Sequence, residues 1–312
     1  MNKIDLLVFK ESHKRSSPKQ VQESIKENYN LDTGYKTIYT SVKRLLNLGF
    51  IEKEESGKNI QIFQAGTPIA TYLNILLDNY PHYINKGIFK ITSLKIQVSL
   101  LHNHLSAKSI AELVGISLRT TKRYLSKLYN LAIIKRIPNI ESSNEHMWEI
   151  NKINDELITF LESYEEFKAL KIIQKVDKES SILWLNGIEF LIKTKKNIDN
   201  PSFKKTGAST LDNYGLKLIA AENYFFYTKR DLDIWDHAFL MVLSRKNDPT
   251  QLRYLAFLYY KTDVNRDEFI KKGRYYNRNA MQKVINLFEN NQESRDLKMR
   301  YIEELKQLYG AE

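Results

Sequence analysis

The sequence predicts a mainly α fold with small β wings, on three observations. Glycine (11) and proline (6) are sparse in 312 residues, which favours helices over wide loops. Apolar residues recur at spacings of three and four in segment after segment. Twice, near 51–64 and 132–150, two strand-like pieces follow a series of such helical patterns.

The first series spans 1–66. Ile4, Leu6, Leu7 and Phe9 mark an opening helix, and Ser17-Pro18 starts a second, with serine as N-cap and proline at the first helical position. Val21, Ile25 and Tyr29 then repeat every four residues. Asp32 is the expected cap of a third helix running to Leu48, with Ile38, Val42, Leu45 and Leu46 on one stripe and Gly49 as its terminator. FIEKEE and NIQIFQ follow as strands joined at Ser56-Gly57.

Residues 67–91 read as a connecting helix from Pro68 to Tyr80, broken at Pro81. Its stripe of Ile69, Leu73, Leu76 and Leu77 must pack on something. An inter-module spacer is the first reading, and a homodimer contact is the other.

Residues 92–150 repeat the order of the first series. A helix carries Leu94, Val98 and Leu101. Ser106 caps a second, Gly115-Ile116-Ser117 turns the chain, and Ser117 caps a third, LRTTKRYLSKLYNL. Ala111 supplies the small side chain and Gly115 the tolerance of positive φ that a tight helix–helix turn needs. Thr121 departs from the branched aliphatic residue expected there, and Ala132 from the glycine that commonly precedes a wing. AIIKRI and HMWEI are the closing strands, around a polar tip from Pro138 to Glu145.

These elements define two winged helix-turn-helix modules, 1–66 and 92–150, followed by a C-terminal α+β, helix-rich domain at 151–312. In that last part a helix from Asp155 to Val176 leads to ILWLNGIEFLIKTKK, which mixes strand and short-helix signals. A loop runs from Asn197 to Gly207, then a short helix ends at Gly215 and a strand ends at Tyr227. Helices are expected over Leu232–Leu243, Pro249–Tyr260, Arg266–Tyr275, Asn279–Glu289 and Arg295–Tyr309.

Charge is uneven. Of the net +11, residues 1–150 carry +8 (21 Lys and Arg against 13 Asp and Glu) and the remainder +3. A basic half beside a balanced one suits a polyanion partner, although a basic proteome would give the same excess. Within Leu105–Arg136 seven basic residues face one acidic residue. There is no cysteine, so no disulfide, thiolate metal site or cysteine nucleophile. The first residues, MNKIDLLVFKESHKR, lack the apolar core and cleavage site of a signal peptide. No apolar run reaches the ~18 residues of a membrane span, so no membrane contact and a cytoplasmic location are expected.

A helix that reads the major groove of duplex DNA needs basic and hydrogen-bonding side chains on the face opposite its core stripe. With Leu118, Thr121, Leu125 and Leu128 inward, Arg119, Thr120, Lys122, Arg123 and Lys127 are left outward, and Lys135 and Arg136 lie on the following strand. In the first module Lys36, Tyr39, Thr40 and Lys43 share an outward face, and Lys58 sits at the hairpin tip, suited to a phosphate contact. Solvated helix faces of a protein-binding fold are the plain alternative. The second module is the stronger candidate.

Enzyme motifs are weaker. Asp231-Leu232-Asp233 matches the paired carboxylates of a nucleotidyltransferase, but the Gly-Ser turn that site needs about ten residues upstream is missing, and Gly207-Ala208-Ser209 is too far back. An aspartate at a helix N-terminus explains the pair equally. His102-Asn103-His104 is not a catalytic spacing, and His13, His82, His146 and His237 show no metal-ligand spacing. No catalytic residue, cofactor or metal is therefore expected. Tyr224–Tyr227 with Tyr254, Phe257, Tyr259 and Tyr260 read as strand-on-helix core before they read as a binding surface.

Residues 182–289 resemble the AbiEi-type antitoxins of abortive-infection (type IV) toxin–antitoxin systems. TGASTLDNYGL resembles the short helix of that family at Ser209, Leu211, Gly215 and Leu216, and RDLDIWDHAFLMVLSRKNDPTQLRYLAFLYYK resembles the helical repeat after it. The single winged helix usual there is doubled here. The resemblance implies a non-enzymatic, autoregulating promoter-binding protein that counters a nucleotidyltransferase-like toxin. The other readings are a stand-alone regulator or architectural protein whose C-terminal domain dimerises or senses a ligand, and a nucleotidyltransferase-like enzyme with tandem winged helices.

Overall fold

The computed structural model describes residues 1–57, 59–138, 146–218, 222–246, 248–262 and 265–309. The chain is mainly helical with small antiparallel sheets, and it divides into two compact units, Met1–Lys168 and Ala169–Glu312. The division falls inside one helix, Asp155–Ile173, and not at 151. Among the described residues no helix is long and apolar enough to cross a membrane.

The first unit opens with α1 (Lys3–Glu11), α2 (Pro18–Tyr29) and α3 (Tyr35–Leu48), then the hairpin β1 (Ile51–Ser56) and β2 (Asn59–Gln64). Ser17 caps α2 as expected, its Oγ accepting the Gln20 N–H at 3.2 Å while Gln20 reaches back to the Ser17 N–H at 2.8 Å. Asp32 does not cap α3. The chain is still extended at Gly34, and the helix begins one residue later without a side-chain cap. Gly49 ends α3 at φ +75°, where its missing side chain makes room for the Phe167 ring. Ser56 pairs with Asn59, so the hairpin turn falls after Ser56. Ser16 adds a bridge to Ile62 (N–H to carbonyl, 3.1 and 2.9 Å), giving the hairpin a third, minimal rung.

A connecting segment follows: α4 (Pro68–Asn79) and a single turn, α5 (Tyr83–Lys86), which Gly87 closes at φ +65°. The α4 stripe of Ile69, Leu73, Leu76 and Leu77 is fully buried within the chain, so it serves the internal core and not a dimer. The order of elements then recurs: α6 (Ile91–Ser99), β3 (Leu105–Ser106), α7 (Ala107–Val114), α8 (Leu118–Asn130), β4 (Ile134–Pro138) and β5 (His146–Ile150). The sheet runs β3-β5-β4. The short β3 was not visible in the sequence, and it does for the second copy what the Ser16 bridge does for the first. Most of the polar tip between β4 and β5, residues 139–145, lies outside the described residues.

Helix α9 (Asp155–Ile173) leads into the second unit, whose sheet has the order β6-β7-β9-β8 and is antiparallel throughout. Its strands are β6 (Ser181–Asn186), β7 (Glu189–Thr194), β8 (Phe203–Thr206) and β9 (Asn223–Tyr227). The mixed segment at 182–196 is thus a hairpin, and the expected loop at 197–207 contains a strand. Alternation divides the sheet's two faces. Phe190, Ile192, Phe203 and Phe225 pack with Ala169 and Ile173 of α9, while Leu191, Tyr224 and Phe226 face the helices that follow.

Those helices are a 3₁₀ turn (Ala208–Tyr214), α10 (Ile234–Ser244), α11 (Pro249–Lys261), α12 (Arg266–Tyr276), α13 (Arg278–Glu289) and α14 (Met299–Tyr309). The last begins four residues later than Arg295. Leu211 and Leu216 are fully buried on either side of the turn that Gly215 makes at φ +80°. Of the aromatic set, Tyr224, Phe225, Phe226 and Phe257 are core and Tyr260 is exposed.

Candidate nucleic-acid interface

Two helices, α7 and α8, meet at a turn of three residues, Gly115-Ile116-Ser117. Ser106 caps α7, and Gly115 closes it in the left-handed region at φ +72°. The Ala111 carbonyl accepts the N–H of both Gly115 (3.0 Å) and Ile116 (3.1 Å). Ser117 then caps α8, accepting from the Thr120 N–H at 3.3 Å and donating to Thr120 Oγ1 at 2.9 Å. Thr121 is fully buried, and its hydroxyl donates to the Ser117 carbonyl at 3.1 Å. That bond is why a hydroxyl is tolerated where a branched aliphatic residue was expected.

The core side of α8 is Thr121, Leu125 and Leu128. Leu118 does not join it; at the first helical position it is 42% exposed. The opposite face carries Arg119, Lys122, Arg123 and Lys127, all exposed. Among the described residues none of these four has an ion-pair partner, although cations elsewhere in the unit do: Lys10 with Asp78 (2.9 Å), Arg15 with Glu54 (2.5 Å) and Arg44 with Asp5 (2.8 Å). Thr120 is half-buried and committed to the cap.

The neighbouring strand differs in kind. Lys135 pairs with Glu149 at 2.8 Å, and His104 reaches the same carboxylate at 2.6 Å. The Arg136 guanidinium lies over both the Tyr129 and Trp148 rings, 4.8 and 5.0 Å from their centres. Lys135 is therefore neutralised and Arg136 fixed in place, with its outer edge free to meet a phosphate.

On α3, Lys36, Thr40 and Lys43 are exposed and Tyr39 half-buried. Lys43 lies 4.8 Å above the Tyr39 ring, and Thr40 donates to the Lys36 carbonyl at 2.8 Å. The structure adds Tyr35, half exposed and stacked on Tyr39 at 6.3 Å, which the helical spacing did not single out. Lys58 lies outside the described residues.

The carboxylates of the enzyme reading do not converge. Asp233 is the N-cap of α10, in a reciprocal cap with Asp236, whereas Asp231 is fully exposed and meets Lys204. Among the described residues no three His, Asp or Glu side chains gather as a metal site. His102 meets Glu165 at 3.1 Å, which raises the imidazole pKa. His237 is held between the Thr206 and Thr210 hydroxyls (3.0 and 3.3 Å), and burial lowers its pKa.

One polar cluster was not foreseen. In the second unit Arg230 meets Asp236 at 2.8 Å and Glu189 at 3.1 Å, Lys272 meets Asp236 at 2.5 Å, and Tyr275 and Tyr276 donate to Glu189 and Asp236. Both carboxylates are buried, so each charge must be matched. Burial favours neutral Asp236, but the Arg230 and Lys272 charges outweigh it and hold the carboxyl below its ordinary value. Burial beside Glu189 pushes the Tyr275 phenol well up.

The sequence matches no protein-family model and no curated protein.

Proposed function

We propose that this chain binds duplex DNA sequence-specifically, with α8 as the recognition helix of a winged helix-turn-helix module and a second such module in the first 66 residues. The observation that carries the reading is the row of four exposed cations on α8, without ion-pair partners among the described residues and placed directly after a sharply capped turn. A helix so presented offers guanidinium groups to guanine edges and ammonium groups to phosphates. The three-stranded β3-β5-β4 sheet beside it, with Arg136 on its exposed face, takes the place of the wing.

Gel-shift titration on the duplex upstream of the chain's own reading frame tests this. Arg119→Ala with Arg123→Ala is expected to weaken specific binding on the order of a hundredfold. Unchanged affinity would remove α8 from the recognition role.

The finer reading is an autoregulating antitoxin acting in the cytoplasm without catalysis. Its support is the likeness of 209–216 and 230–261 to the AbiEi-type antitoxins. Leu211, Gly215 and Leu216 fill core and turn positions, so that likeness bears on the second unit's fold. Co-purification with a nucleotidyltransferase encoded next to it supports this reading; a chain that regulates alone would emerge without one.

A further inference from the structure

A groove of about 390 Å³ runs between α5 and the C-terminal half of α8. Its walls are Asn85 and Lys86 from α5, and Arg123, Ser126, Lys127 and Asn130 from α8. Among the described residues no carboxylate lines it. The Lys127 ammonium reaches across to Gly87, where an added Cβ would lie 3.3 Å from Nζ and 3.5 Å from the stem of Lys90. Among the described residues none of Lys86, Lys90, Arg123 or Lys127 has an ion-pair partner. Gathering cations in one concavity raises their mutual repulsion, and an anion relieves it. The two amides and the hydroxyl add neutral donors at the rim. Charged and neutral donors together match the oxygens of a phosphodiester.

We infer that this groove seats a backbone phosphate of the duplex that α8 reads, which rests on the DNA-binding reading above. Arg123 belongs both to the groove and to the outward face of α8, so one strand's backbone passes from the base-reading surface into the seat. Helix α5 stands outside both sets of three helices. Its contribution makes the connecting segment part of the docking surface, fixing the register of α8 along the groove.

The test is a salt titration of the full chain on a 30-base-pair duplex, read by fluorescence anisotropy. Lys86→Ala with Lys127→Ala empties the seat of its one phosphate, so the slope of log K against log salt should become shallower by about 0.9. The loss of affinity between 50 and 200 mM salt then shrinks by about 3.5-fold. The weakening should be equal on specific and scrambled duplexes, whereas Arg119→Ala should act on the specific one alone. Lys86→Arg with Lys127→Arg should retain the wild-type slope, which separates loss of charge from loss of fold. A steep wild-type slope left unchanged in the alanine pair would overturn the phosphate seat and leave the DNA reading intact. A wild-type chain without salt-dependent affinity for duplex DNA would overturn both.

Discussion

Ala132 sits at φ +53°, exposed, between α8 and β4, with its carbonyl accepting from Asn151 Nδ2 at 2.9 Å. An L-residue in the left-handed region costs about 1–2 kcal/mol, and glycine avoids that at a smaller entropic cost in the unfolded chain. Ala132→Gly should therefore stabilise the first unit by about 0.5–1 kcal/mol, read as a shift in the urea midpoint. Gly49 is the opposite case. It combines φ +75° with a Phe167 ring atom 2.2 Å from where a Cβ would stand, so Gly49→Ala should cost more than about 2 kcal/mol in the same measurement. The two substitutions exchange the same pair of residues at positive φ and carry opposite signs. A destabilised Ala132→Gly variant would mean that the turn is not strained.

At the scale of elements, α8 and β4 present cations in different states. Lys135→Ala should change duplex affinity by less than about twofold, because Glu149 already neutralises that lysine. If its loss matched that of Lys127→Ala in an anisotropy titration, the pair would have to open on binding. Most helix boundaries set by neighbours in sequence were legible, as at the caps Ser17, Ser106 and Ser117 and the glycines at 49 and 115, whereas Asp32 failed because the chain stays extended through Gly34. What depends on distant partners was not. β3 is two residues long and exists only because β5 lies opposite, and FKKT at 203–206 is a strand only beside β9. The outward face of α8 followed from its 3.6-residue period, whereas the opposite wall of its groove comes from Lys86, about ten helical turns away in sequence. The Glu189–Arg230–Asp236–Tyr275 cluster spans 86 residues and carries no local pattern.

For the whole molecule, charge and acid stability separate the two units' roles. In the second unit Asp236 has a lowered pKa, so its stabilisation is present above the unfolded value near 4 and is lost as pH falls through the folded value. His237 is also lowered, so the unfolded chain takes up its proton first, and stability already begins to fall below about pH 6.5. Urea unfolding at successively lower pH, followed by Trp184 and Trp235, should show this two-stage decline. Trp184 reports the cluster directly, its ring lying 5.8 and 5.4 Å from Tyr275 and Tyr276. Asp236→Asn should flatten the more acid stage and lower stability at neutral pH by about 3 kcal/mol, because it leaves Arg230 and Lys272 under-compensated. A decline unchanged in that variant would place the acid sensitivity elsewhere.

The buried stripe of α4 has a consequence for how a target sequence is measured. A flexible tether would let the two copies of the helix–hairpin unit search independently, with an effective concentration set by its length. Packed as it is, α4 acts as a ruler. On the proposed reading one molecule then recognises a bipartite site at fixed phase, without palindromic symmetry and without first finding a second chain. Lengthening the connector by a few residues near Pro81 would rotate one half-site relative to the other around the duplex, and affinity should return only for a target whose spacer has been lengthened to match.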